Sequence, residues 1–146
     1  MNIIVIIPAR GGSKGLPRKN ILPFNNIPLI VHSINYAKEC NLVDNIYVST
    51  DDNEIASISS EYGATIIERP LELSGDSATT ESAIDHALST LETKPEIIIL
   101  LQPTSPFRPK SSLQVALDKF IQNNFDSLLS ISPTHHFFWS IDENDN

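Results

Sequence analysis

Five consecutive β-branched side chains occupy residues 3–7, and Pro8 ends the run. There is no alternation of apolar and polar positions, so a strand here must be buried on both faces. Such a strand belongs inside a sheet that carries helices on each side. The rest of the sequence follows suit. Residues 28–39 place Ile30, Ile34 and Ala37 at helical spacing, with Pro28 near the start. Residues 46–49 read as a second strand. Residues 53–61 read as a short helix with Asp52 as a cap and Gly63 as its close. Residues 64–68 form a third strand, and residues 79–91 a helix with Ser77 as candidate cap. Residues 97–101 are a second fully apolar strand. A helix over 111–123 and a strand over 127–132 complete the series. The segments 69–77 and 102–109 read as loops, and Pro17 and Pro23 keep the chain extended after the first strand.

This alternation predicts an α/β fold: three layers, α/β/α, around a mostly parallel sheet with right-handed crossovers. In such sheets ligands lie beyond the carboxyl ends of the strands. The loops after Ile7, Ser49, Glu68 and Leu101 then share one rim.

The 146 residues suit one domain, expected over residues 1–132. Apolar residues make up 40% and charged ones 19%, as in globular proteins. No apolar run reaches the ~18 residues a membrane span needs. Met1 leads into the first strand without a basic segment, which argues against a secretory signal. Cys40 is the sole cysteine, which fits a reducing cytoplasm, and it reads as a packing residue. A net charge of −8 argues against general nucleic-acid affinity. The distribution says more than the sum. No carboxylate precedes Glu39, while Arg10, Lys14, Arg18 and Lys19 cluster within ten residues. An acidic chain that keeps one segment free of carboxylates either holds an anion there or carries a chance run of solvated cations.

That segment is Pro8-Ala9-Arg10-Gly11-Gly12-Ser13-Lys14-Gly15. Glycine lets backbone N–H groups approach phosphate oxygens, Ser13 adds a donor, and Arg10 and Lys14 balance charge. The loop is not a Walker P-loop, since Gly15 is followed by Leu16-Pro17. Nor is it a dinucleotide fingerprint, whose third glycine would open a helix. A second loop, from Gln102 to Arg108, offers an amide and the short hydroxyls of Thr104 and Ser105, groups suited to sugar hydroxyls or a base edge. Asp51 and Asp52 end a strand. They either approach a metal or ribose, or cap the following helix.

The stretch from Ile7 to Asn20 resembles the signature loop of the CMP-sialic acid synthetases (acylneuraminate cytidylyltransferases). Val48-Ser49-Thr50-Asp51, Arg69-Pro70 with Glu72-Leu73, and Leu100-Leu101-Gln102-Pro103-Thr104-Ser105-Pro106 resemble that family too, in the same order. The resemblance implies a Rossmann-like fold of the nucleotide-diphospho-sugar transferase type. It implies joining of CTP to a nine-carbon 2-keto sugar acid with release of pyrophosphate, aided by Mg2+. Residue by residue, Arg10, Lys14 and Lys19 would act on the triphosphate, with Ala9, Gly11, Gly12, Ser13 and Asn20 around it. Arg69, Ala78 and Thr80 match the cytosine-recognising stretch, while Gln102, Thr104 and Ser105 match sugar-acid contacts. Read without the resemblance, Arg69 is a loop arginine suited to a surface ion pair.

A related family that activates an eight-carbon acid carries an aspartate in the second loop. Here Pro103-Thr104-Ser105 has none, which favours the sialic-type branch: sialic, legionaminic or pseudaminic acid. Family members continue further, with a dimer-forming arm and an aspartate pair for Mg2+. Residues 133–146 are therefore expected to begin that arm, the Mg2+ ligands to lie outside this chain, and the full-length protein to be a cytoplasmic homodimer without membrane partners. The segment's Phe137-Phe138-Trp139 cluster then awaits a covering partner, and the adjacent His135 and His136, facing opposite ways in a strand, argue against a joint metal site. The competing expectation is a nucleotide-binding module without catalysis.

Overall fold

The structure, a computed structural model, describes residues 1–13, 15–75 and 78–131. Four strands form one parallel sheet: β1 (Ile3–Pro8), β4 (Asn45–Thr50), β5 (Thr65–Glu68) and β6 (Ile97–Leu100), in the order β5-β4-β1-β6. A two-residue hairpin, β2 (Pro23–Phe24) and β3 (Ile27–Pro28), interrupts the first crossover. Four helices complete the chain: α1 (Leu29–Lys38), α2 (Asn53–Glu61), α3 (Thr80–Thr90) and α4 (Ser112–Gln122).

β1 is central, and its residues from Ile3 to Ile7 are buried. Odd and even positions serve different layers, because side chains of a strand alternate between faces. Val5 and Ile7 pack with Ile30, Val31, Ile34 and Ala37 of α1 and Ile55 of α2. Ile3 continues the same face onto Leu113 and Leu117 of α4, where Cys40 is also buried. Ile4 and Ile6 point the other way, onto Ala87 of α3 with Ile84, Leu88 and Leu91 beside it. This is the expected α/β/α arrangement.

Several local expectations need correction. β6 is an outer strand of the described sheet and is covered on one face only: Ile97 and Ile99 pack with Ile3, Leu113 and Leu117. Ile98 and Leu100 are each 41% exposed. Residues 127–131 form no strand, and Leu129 and Ile131 are exposed; residue 132 lies outside the described residues. The chain after Pro17 is not simply extended. Lys19–Ile21 makes one 3-10 turn. Asn25 and Asn26 then both take positive φ, 49° and 67°, the left-handed pair that a tight hairpin turn requires. Thr79 caps α3 by accepting a bond from the Ser82 N–H; Ser77 lies outside the described residues. Gly63, at φ 84°, follows α2 as expected.

Candidate nucleotide site

The rim beyond the carboxyl ends of β1, β4, β5 and β6 is knitted together by a few polar contacts. Ser49, fully buried near the end of β4, is the hub. Its carbonyl accepts the Ala9 N–H at 2.9 Å, which continues the β1–β4 pairing into the glycine loop. The same carbonyl accepts from the Arg69 guanidinium, whose Nε also donates to the Ser49 hydroxyl at 3.1 Å. A carbonyl has two lone pairs, so both donors are satisfied at once. Arg69 is placed there because its own N–H bonds the Thr50 carbonyl, one step past the β4–β5 ladder.

Arg69 is 8% exposed, so it is not the surface ion pair its loop position suggests. Burial lowers its pKa from the ordinary value. The carboxylate of Asp51 pushes it back up, and Arg10 lowers it further. A guanidinium remains a cation throughout. The site thus keeps a desolvated positive charge in its wall, with Asp51 as its counter-charge.

The glycine loop is braced from below. Asp51 Oδ1 accepts the Gly11 N–H at 3.0 Å. Asn20, a buried residue, donates from Nδ2 to the Arg10 carbonyl at 3.0 Å. Arg10 itself donates to the Gly75 carbonyl at 3.0 Å. Asp52 Oδ1 caps α2 by accepting from the N–H groups of Glu54 and Ile55, each at 2.9 Å. Arg18, at φ 56°, grips the Asp52 carboxylate with both terminal nitrogens and reaches Glu54 as well. The choice left open for the two aspartates is settled for Asp52, which caps the helix, while Asp51 holds the loop.

These bonds have a pH consequence. Desolvation raises the Asp52 pKa, but the Ile55 N–H, the Arg18 guanidinium and the Glu54 N–H outweigh it, so the net shift is downward from 3.8. A carboxyl with a lowered folded-state pKa contributes its full stabilisation above the unfolded value and loses it as pH falls through the folded one. Acid titration through the carboxylate range is therefore expected to destabilise the native protein more than its Asp52→Asn variant. Thermal melts of the two across that range measure the difference, and parallel curves would contradict the assignment.

Above this floor lies a cleft of about 560 Å3. Arg10, Ser13, Lys19 and Asn20 line it from the glycine loop side. Arg69 and Ala78 line it from the segment between β5 and α3, Thr80 from the first turn of α3, and Gln102 and Thr104 from the loop after β6. Nine residues singled out from the sequence thus meet around one space. Ala9 does not reach it, being 1% exposed and part of the core. Gly11, Gly12 and Ser105 are also not among the lining residues, and the Gly11 N–H is already taken by Asp51. Lys14 lies outside the described residues, as does the segment from 133 on. Sequence reading missed Thr79, Leu16 and Pro103, which also line the cleft. It missed Ser49 too, since no local signal marks a strand serine that an arginine twenty positions later will seek.

Among the described residues there is no group of three or more His, Cys, Asp or Glu side chains that could hold a metal ion. The two aspartates nearest the cleft are engaged as above. Among the described residues no helix is long and apolar enough to cross a membrane.

The family model for cytidylyltransferases matches residues 4–141, nearly the whole chain. The chain belongs to the cytidylyltransferase family. It is 41% identical over 127 residues to a pseudaminic acid cytidylyltransferase of Campylobacter jejuni, a match covering 84% of this chain and 55% of that protein. It is 43% identical over 111 residues to an N-acylneuraminate cytidylyltransferase of Escherichia coli, covering 76% of this chain and 26% of that one. The chain therefore spans about half or less of the length of these relatives. Among solved structures, a CMP:2-keto-3-deoxy-manno-octonic acid synthetase complexed with CTP superposes with TM-score 0.73 at 23% identity, over 85% of this chain and 49% of that one. A Leptospira borgpetersenii cytidylyltransferase gives TM-score 0.63 at 23% identity, over 84% and 50%. These two carry the fold, and the nucleotide-diphospho-sugar transferase type of Rossmann-like sheet is the one observed.

Proposed function

We propose that this cytidylyltransferase transfers CMP from CTP to a nine-carbon 2-keto sugar acid and releases pyrophosphate. The observation that carries the proposal is one cleft lined by three cations, Arg10, Lys19 and Arg69, and by the amide and hydroxyl of Gln102 and Thr104. In this reading the anomeric oxygen of the sugar acid bonds to the α-phosphorus, the bond from that phosphorus to the pyrophosphate oxygen breaks, and the sugar hydroxyl gives up its proton. Arg10 and Lys19 neutralise the charge that builds on the leaving pyrophosphate. Ser13 and Asn20 bind beside them, with Lys14 on the same loop. Arg69, Ala78 and Thr80 take the cytosine end, and Gln102 and Thr104 the sugar acid.

The names of the relatives and the carboxylate-free loop after β6 support the sialic-type branch over an eight-carbon acid. The reading extends to Mg2+ held by residues other than those described, to a homodimer, and to a cytoplasmic setting in which the lone Cys40 stays reduced. It includes no nucleic-acid or membrane partner.

Pyrophosphate release by the whole native polypeptide tests it. Turnover with CTP and at least one of sialic, legionaminic or pseudaminic acid is expected, and none when ATP replaces CTP. Failure with all three acids overturns the activity. CTP binding in a calorimeter without turnover would then favour a nucleotide-binding module.

A further inference from the structure

The loop that carries Gln102 and Thr104 has three prolines, Pro103, Pro106 and Pro109, but little regular structure, so something must fix its position over the cleft. Arg108 does so from the far end of the same loop. One terminal nitrogen donates to the Gln102 carbonyl at 2.7 Å, and the other to the hydroxyl of Ser33 on α1 at 3.1 Å. Ser33 is fully buried, so this second anchor is part of the core. The guanidinium carbon also lies 5.1 Å from the ring centre of Tyr36, a cation–π distance, and the Tyr36 hydroxyl is 2.6 Å from Ser112 Oγ at the start of α4. The planar fork of arginine bridges two acceptors at once, which a lysine ammonium on its single flexible stem does less rigidly.

We propose that Arg108 is a positioning residue for the sugar-acid side of the cleft: it ties the Gln102 carbonyl to α1 and so sets where the Gln102 and Thr104 side chains meet the substrate. The inference rests on the reading that these two side chains contact the sugar acid. Arg108 is not among the residues lining the cleft and acts through the loop. The glycine loop and Arg69 are held by Ser49, Asp51 and Asn20, a separate set of bonds. Loosening Arg108 therefore moves one wall and leaves the nucleotide wall in place.

Steady-state kinetics on the whole native polypeptide, varying CTP and sugar acid separately, tests this with three variants. Gln102→Ala checks the underlying reading, since it must raise the KM for the sugar acid. Arg108→Ala removes a charge-assisted bond and is expected to raise the sugar-acid KM by about tenfold with the CTP KM unchanged. Arg108→Lys should recover part of that loss. Ser33→Ala keeps the Gln102 bond and removes only the buried anchor, so it carries the test with a smaller rise in the same KM if Arg108→Ala does not fold. If Gln102→Ala has no effect on the sugar-acid KM, the sugar-site reading fails. If Gln102→Ala raises it while Arg108→Ala or Ser33→Ala leaves it unchanged, or raises both KM values alike, the positioning role is overturned.

Discussion

Lys19→Ala is expected to lower kcat/KM for CTP by about 10²- to 10³-fold, the usual loss when one preorganised charge is removed from a developing anion. Lys19 begins the 3-10 turn that follows the glycine loop, and it lines the cleft with Arg10 and Arg69. Of these cations Arg69 is least suited to a clean test. It is buried and bonded to Ser49, so its removal would disturb the floor as well as the charge. Lys19 is only partly buried, and truncating it should leave stability within about 0.5 kcal/mol. The pairing of a large kinetic loss with an unchanged melting temperature is the diagnostic. A loss of less than about threefold would remove Lys19 from the reaction, since one oxyanion-stabilising donor is ordinarily worth far more.

Gly11→Ala carries the second large effect, and by a different route. A Cβ at Gly11 would stand 2.7 Å from Asp52 Oδ2 and 2.9 Å from Asp52 Cβ. Contacts that close do not occur, so Asp52 must shift. It cannot shift freely, because it caps α2 and holds Arg18. Overpacking of this kind costs about 1–3 kcal/mol, and the displaced cap adds roughly 1 kcal/mol more. The glycine loop moves with it, so the KM for CTP should rise along with the loss of stability. Gly12→Ala is the control. A Cβ there meets nothing within 4 Å, so stability should be unchanged and any kinetic loss reports a ligand that approaches the backbone. Chemical denaturation and steady-state kinetics on both variants measure the contrast. Equal stability of the two would contradict the close packing of Gly11 on Asp52.

Much of this was legible in the residues themselves. The run from Ile3 to Ile7 announced a central strand, and the spacing of Ile30, Ile34 and Ala37 announced α1, because periodicity follows directly from which faces are buried. The Asp52 cap and the Gly63 close were local, hence readable. What escaped depended on neighbours distant in sequence. The apolar run at residues 97–101 looks the same whether its strand is central or outer, so nothing in it announced the exposure of Ile98 and Leu100. Arg69 reads as a loop cation until the β4–β5 register puts it beside Ser49. The same holds for the glycine loop. Its glycines suggested free N–H groups for phosphate, yet Gly11 spends its own on Asp51, forty positions away. At least one glycine of that loop serves the fold before it serves any ligand. Asn25 and Asn26 did carry a usable signal, since paired asparagines tolerate the left-handed conformation that a two-residue turn needs.

We propose the space between the glycine loop, Arg69 and the loop after β6 as the CTP site, and a crystal structure of the whole native polypeptide with CTP is its decisive test. The triphosphate is expected against Arg10, Ser13 and Lys19, the cytosine toward Arg69, Ala78 and Thr80, and the face of Gln102 and Thr104 left open to the sugar acid. A nucleotide bound away from that cleft, or one whose triphosphate avoids Arg10 and Lys19, would contradict it.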